Sequence, residues 1–220
     1  MLNLLFPKVC SGCGSLLLKT EIVICTQCRN NLPMACYHRT ANDAMKDVFY
    51  GRFEVQNATA LLQFQKKGIT QELLHNLKYR GQEKISSFFG KWLGEELSSN
   101  DSYAGVDMVI PVPLHKQKLK KRGYNQVSGF GREVAAALNV PFREDLLLKI
   151  SKTNSQVFKK RLTRIAVEEI FTVHSPEIIA NKHILLVDDI VTTGATLENC
   201  ALQLHKSENV TISVATIAIA

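Results

Sequence analysis

The 220-residue sequence predicts an α/β protein, a twisted and mostly parallel sheet flanked by helices, with a small metal module in front of it. Three observations predict this. Ile184 to Val187 is a short unbroken apolar run, the pattern of a strand covered on both faces, and it leads through two carboxylates into a turn that opens a helix. Val106 to Val112 repeats the arrangement of buried strand, polar connection and helix. Ahead of both, Cys10-Ser11-Gly12-Cys13 and Cys25-Thr26-Gln27-Cys28 form two C-x-x-C pairs eleven residues apart.

Residues 1–40 read as a separate module holding five of the six cysteines. Met1 to Pro7 has no basic leader and breaks at the proline, so no secretory signal is expected and the cytoplasm is the expected compartment. There, this spacing argues for metal over disulfides. Cys10, Cys13, Cys25 and Cys28 are expected to hold one tetrahedral, structural zinc. Cys36 and His38 lie close enough in sequence to exchange for a ligand, but four thiolates already fill the shell.

From about Asp43 to Gly68 weak alternation among aromatics suggests one or two strands, Ala58 to Phe64 the better one. Ile69 to Tyr79 and Ile85 to Leu97 carry apolar residues at helical spacing. Between them Leu77-Lys78-Tyr79-Arg80-Gly81 forms a basic elbow, open to two readings: a helix end terminated by Gly81, or a phosphate contact. The strand at Val106 to Val112 should feed a loop from Lys116 to Arg122, rich in cations and free of acids, before helical spacing resumes after Tyr124 with Val127, Phe130 and Val134. Leu146 to Ile150 reads as a third short strand, and a polar, basic segment follows it to Arg164.

The central stretch is Asn181 to Thr196. Its strand should end at Asp188. Thr192-Thr193-Gly194-Ala195-Thr196 then offers small side chains, three hydroxyls and one residue free to take positive φ just before a helix. Such a turn aims successive backbone N–H groups at one anion, with the helix N-terminus adding partial positive charge. Asp188 and Asp189 stand where ligands of open α/β sheets bind. Adjacent carboxylates repel unless a cation or a pair of hydroxyls shares their oxygens, so a ribose 5-phosphate with Mg²⁺ nearby suits the stretch. Val210 to Ile219 should be a terminal strand, and Cys200 a packing residue.

No apolar run approaches the length of a membrane span, so no membrane insertion is expected. The net charge of +7 is concentrated: residues 111–164 hold 13 Lys and Arg against 3 acids, or +10, leaving −3 for the rest. That distribution suits a polyanion, whether pyrophosphate, nucleotide or nucleic acid. Lys118, Lys120 and Lys121 are the expected phosphate contacts for single-stranded DNA, with Tyr124 as a stacking surface for a base.

The Asn181 to Thr196 stretch resembles the phosphoribosyl pyrophosphate (PRPP) motif of type I phosphoribosyltransferases. Pro111-Val112-Pro113-Leu114-His115, followed by Arg122-Gly123-Tyr124-Asn125-Gln126, is similar to the ComF family of competence-associated phosphoribosyltransferase-like proteins, which pair a four-cysteine zinc finger with this domain. The resemblance covers nearly the whole chain. It implies the type I phosphoribosyltransferase fold over residues 41–220, with a hood and helical lead-in at 41–100 and a PRPP-binding core at 101–220. PRPP would then lie on Asp188, Asp189 and Thr192 to Thr196, with Asp188 and Asp189 as catalytic acids. His115, Lys116 and Arg122 would serve the pyrophosphate. Thr153, Gln156, Arg161 and Arg164 match the family's flexible catalytic loop, but Val167 stands where Asn is usual.

Two function classes follow. One is a PRPP-binding protein of DNA uptake and natural transformation, with single-stranded DNA and competence proteins as partners. The other is a PRPP-dependent transferase acting on a small nitrogenous acceptor. Glutamine amidotransferase activity is not expected, because it needs a further domain and Cys10 belongs to a C-x-x-C pair.

Overall fold

The computed structural model describes residues 7–40, 43–150 and 170–220. Two knuckles come first. Cys10 and Cys13 occupy a turn closed by a bridge between Val9 and Leu16. Cys25 caps the short helix α1 (Thr26–Asn30), its sulfur accepting from the Cys28 N–H at 3.4 Å. The chain then runs antiparallel beside β1 (Ala58–Gln63): the Ala35 N–H donates to the Leu61 carbonyl at 2.9 Å and the Cys36 N–H to Ala60 at 3.0 Å. A helical turn, α2 (Ala44–Asp47), lies between the module and β1.

Helices α3 (Ile69–Tyr79) and α4 (Lys84–Ser98) follow. Leu73, Leu74 and Leu77 of α3 are buried, an apolar stripe stabilising its seat by roughly 5–9 kcal/mol. β2 (Met108–Pro111) leads into α5 (Lys116–Arg122) and then α6 (Ser128–Leu138). Helices α4 and α6 approach so closely that a Cβ on Gly90 would lie 2.5 Å from the Phe130 carbonyl oxygen. An antiparallel pair, β3 (Leu147–Ile150) with β4 (Ile170–Val173), precedes β5 (His183–Val191), α7 (Ala195–Leu204) and β6 (Thr211–Ile219).

β1, β6, β5 and β2 form one sheet in that order, every pair parallel. Strand alternation divides the core between its faces. Leu185, Val187, Ala215 and Ile217 pack with α3, α4 and α6, and Cys10, Cys28 and Leu32 of the cysteine module join that same cluster. Ile184, Leu186, Ile212 and Val214 pack on the other face against Met45, Phe49 and the buried side of α7. Among the described residues, no helix is long and apolar enough to cross a membrane.

The structure departs from the sequence expectations in four places. β5 does not end at Asp188; Ile190 and Val191 still pair with Ala218 and Ile219, because the nine-residue β6 offers ladder partners along its whole length. Lys116 to Arg122 is a helix, not a loop, capped by His115 Nδ1 on the Gln117 N–H and ended by Gly123 at φ 86°. The aromatic segment before β1 contributes a helical turn instead of another strand, since Met45 and Phe49 are wholly buried one turn apart. The strand expected over Val106 to Val112 shortens to Met108–Pro111.

Candidate functional site

The carboxyl ends of β5 and β2 deliver the chemistry. After Val191 the chain turns at Thr192 and Thr193, Gly194 takes φ 78°, and α7 begins at Ala195. This turn encloses a small concavity of about 40 Å³ lined by Asp188 and by Ile190 to Leu197, next to the first turn of α7. Thr192 and Thr193 are exposed to it and Thr196 is half-buried. A Cβ on Gly194 would meet Val48 Cγ1 at 3.0 Å and Phe49 Cε1 at 3.1 Å. Glycine is therefore required by positive φ and by the aromatic packing behind the turn. Arg52 braces the same turn, donating to the Thr193 carbonyl at 2.6 Å while pairing with Glu198 at 3.2 Å. No sequence signal marked Arg52.

Asp188 and Asp189 are both buried, at 8% and 3% exposure. Pleating directs neighbouring side chains to opposite sides of the strand, so Asp188 lines the concavity while Asp189 turns toward α3. The Asp189 N–H donates to Asp188 Oδ1 at 2.8 Å. Burial, and then the Asp189 charge, push the Asp188 carboxyl up to about 8. On the α3 side the Lys78 ammonium pairs with Asp189 Oδ1 at 2.9 Å. Asp189 Oδ2 is buried and has no partner among the described residues.

The basic helix α5 follows β2, the strand that pairs with β5. Lys116, Lys118, Lys120 and Lys121 are exposed on α5, and Arg122 is half-buried with its guanidinium on Gln126. Cations at i, i+4, such as Lys116 with Lys120 and Lys118 with Arg122, each cost about 0.2–0.5 kcal/mol. Only those in the last turn gain from the helix dipole. An anion alongside would relieve this repulsion. Beneath the helix is a groove of about 590 Å³, reached by Pro113, Asn125, Arg132 and Lys149 among others. A second groove of about 600 Å³, lined by Ile22, Phe88 and Trp92, lies between the cysteine module and α4; none of the site residues line it.

Tyr124, expected as a stacking surface, is half-buried and donates its hydroxyl to the Leu77 carbonyl. The exposed ring near Tyr124 is Tyr79, at 71%, with His75 5.1 Å from it and the Arg122 guanidinium at 5.8 Å. At the elbow Gly81 takes φ 67° just past the helix end, as the helix-end reading expects, and Lys78 pairs with an acid of the central motif. Thr153, Gln156, Arg161, Arg164 and Val167 lie outside the described residues.

The sulfurs of Cys10, Cys13, Cys25 and Cys28 all lie within 4.8 Å of one another. Backbone N–H groups of Gly12 and Cys25 point at Cys10 Sγ, at 3.4 and 3.2 Å, as they would toward a thiolate. Hydrogen bonding with the side chain and backbone of Ser15 brings the Cys13 thiol down to about 6. Cys36, His38 and Glu96 form a second group, but Glu96 already accepts from His38 at 2.6 Å and from Arg39, and the His38 Nδ1 engages Thr59 at 2.8 Å. That group is a satisfied polar network.

Residues 128–220 match the phosphoribosyl transferase domain. The chain is 30% identical over 192 residues to competence protein ComFC of Streptococcus pneumoniae, covering 86% of this chain and 70% of that protein. It is 27% identical over 213 residues to competence protein ComFC of Bacillus subtilis, covering 92% and 81%. Over 146 residues it is 27% identical to the DNA utilization protein YhgH of Escherichia coli O157:H7, covering 64% and 63%. Among solved structures, a purine phosphoribosyltransferase from Pyrococcus horikoshii aligns over 63% of this chain and 73% of its own, with 18% identity and a TM-score of 0.40.

Proposed function

The chain belongs to the ComF family of phosphoribosyltransferase-like competence proteins, and from that premise we propose that it binds PRPP and acts in DNA uptake. One observation carries the reading. Two adjacent buried carboxyls, one pushed up to about 8 and the other with an orphaned oxygen, stand beside a turn shaped for a phosphate. Such a pair is costly to hold without a ligand.

In this reading the N–H groups from Thr193 to Thr196 hold the 5-phosphate at the α7 N-terminus, helped by the hydroxyls of Thr192, Thr193 and Thr196. Asp188 and Asp189 accept from the two ribose hydroxyls. His115, Lys116 and Arg122 face the pyrophosphate from the basic helix. By the family resemblance Gln156, Arg161 and Arg164 would join them. The donor set fits Mg²⁺, whose contribution would be to neutralise pyrophosphate charge in a site rich in oxygen ligands. Departure of pyrophosphate from C1 leaves positive charge on the sugar ring, which the ionised member of the acid pair stabilises while the α5 cations hold the leaving group. No nucleophilic side chain is required. The four-cysteine set fits Zn²⁺ by ligand count, softness and closure, and would hold it structurally. Single-stranded DNA is assigned to the exposed face of α5 through Lys118, Lys120 and Lys121.

Calorimetry with PRPP and Mg²⁺ tests the reading. Binding is expected only with the divalent ion, and Asp188→Asn combined with Asp189→Asn should abolish it in a folded protein. Undiminished affinity in that double variant would put the site elsewhere.

A further inference from the structure

Lys78 lies outside the Asn181 to Thr196 motif, in the basic elbow at the last turn of α3, at 24% side-chain exposure. Three observations draw it into the site. Its ammonium pairs with Asp189 Oδ1 at 2.9 Å, across an interval of 111 residues in sequence. Asp189 Oδ2 is buried without a partner among the described residues. The residues on either side of Lys78 touch the end of the basic helix region: Leu77 accepts the Tyr124 hydroxyl, and the Tyr79 ring lies under Arg122. The end of α3 that carries Lys78 therefore touches both Asp189 and Arg122.

An ion pair built for stability alone would look different. Desolvating two charges consumes most of their attraction, so a stabilising buried pair satisfies its remaining lone pairs with further hydrogen bonds. Here one carboxylate oxygen is left over. The ammonium is partly exposed, on a flexible stem, and is free to change partners without unfolding the helix that carries it.

We propose that Lys78 is a substrate-binding residue that exchanges partners: it neutralises Asp189 in the ligand-free protein and contacts the pyrophosphate once the ribose hydroxyls occupy Asp189. This deepens the PRPP reading and rests on it. The exchange explains how a buried acid can stay folded without ligand and still be available to it. It also places one more cation on the leaving-group side, supplied by the lead-in helices and not by the core.

The test compares PRPP with ribose 5-phosphate, which keeps the hydroxyls and lacks the pyrophosphate. Titrations with Mg²⁺ would use the parent protein, Lys78→Met and Lys78→Arg, with thermal melting to confirm that each is folded. Lys78→Met should weaken PRPP at least about tenfold while changing ribose 5-phosphate less than about threefold; Lys78→Arg should recover most of the PRPP affinity. Equal losses for both ligands would reduce Lys78 to a counter-ion of Asp189 and overturn the pyrophosphate contact. Unchanged PRPP affinity in Lys78→Met would overturn it as well. Failure of the parent protein to bind either ligand would instead overturn the underlying PRPP reading.

Discussion

Asp188 shows at the residue scale how a buried carboxyl is held against stability. Its carboxyl is raised from 3.8 to about 8, mainly by burial and then by the Asp189 charge. The folded state therefore holds this proton more tightly than the unfolded chain does. The stability it lends is complete below about pH 4 and is lost as pH rises through 8. Removing the titration should then help the ligand-free protein. Asp188→Asn is expected to gain roughly 1–3 kcal/mol at pH 8, an upper bound near 6 being softened by relaxation and water, and to gain less at pH 5. Melting curves of both proteins across pH 5–9 check this. A variant that melts below the parent at pH 8 would contradict the electrostatic account. The same substitution should weaken PRPP, so stability and binding move in opposite directions.

Between elements, the cysteine module reaches the site through α3. A Cβ on Gly12 would touch Ile69 at 3.1 Å, so the first knuckle sits directly on the start of that helix. Farther along, Asn76 Nδ2 donates to the Ser11 carbonyl at 2.8 Å, two residues before Lys78. The module is also stitched to the sheet edge through Ala35 and Cys36. Metal analysis of tag-free protein should find close to one zinc per chain, as expected for four thiolates. Chelation should lower the melting temperature of the whole protein and weaken PRPP at temperatures where the sheet remains folded, because α3 loses its brace. Metal-free protein with unchanged melting and PRPP affinity would disconnect the module from the site. α5 shows the converse relation: its own charge pattern works against its helicity, and its caps at His115 and Gly123 hold it for an anion to complete.

Over the whole molecule, α5 carries five of the 13 Lys and Arg of residues 111–164 and no acid, and its end meets the elbow where Arg122 lies over the Tyr79 ring. A polyanion laid there would be read by phosphate charge and not by base. Single-stranded DNA should bind without sequence preference, with a logarithmic salt slope of about −0.7 per phosphate neutralised. Neutralising Lys118, Lys120 and Lys121 together should flatten that slope by about two units, and PRPP should compete. Oligonucleotide titration at several salt concentrations checks this; an unchanged slope in the triple variant would move the contact off α5. Of the two tyrosines beside Arg122, the exposed Tyr79 ring and not Tyr124 is open to a base.

Local patterns sufficed for whatever depends on near neighbours in the chain. The apolar run of Ile184 to Val187, the small residues of Thr192 to Thr196 and the two C-x-x-C pairs each announce a strand, a tight turn into a helix and a cysteine cluster within a few positions, so fold class, turn and cysteine cluster were legible. Ends of elements were not. Whether β5 stops at Asp188 or runs to Val191 depends on β6, about thirty residues later in the chain and beside it in the sheet. Helicity at α5 turns on its caps at His115 and Gly123, set against a repulsive charge pattern. The divergence of Asp188 and Asp189 onto opposite faces, the partnership of Asp189 with Lys78 and the brace of Arg52 on Thr193 were decided only when distant segments met, because contact across 111 or 141 residues leaves no periodicity to read.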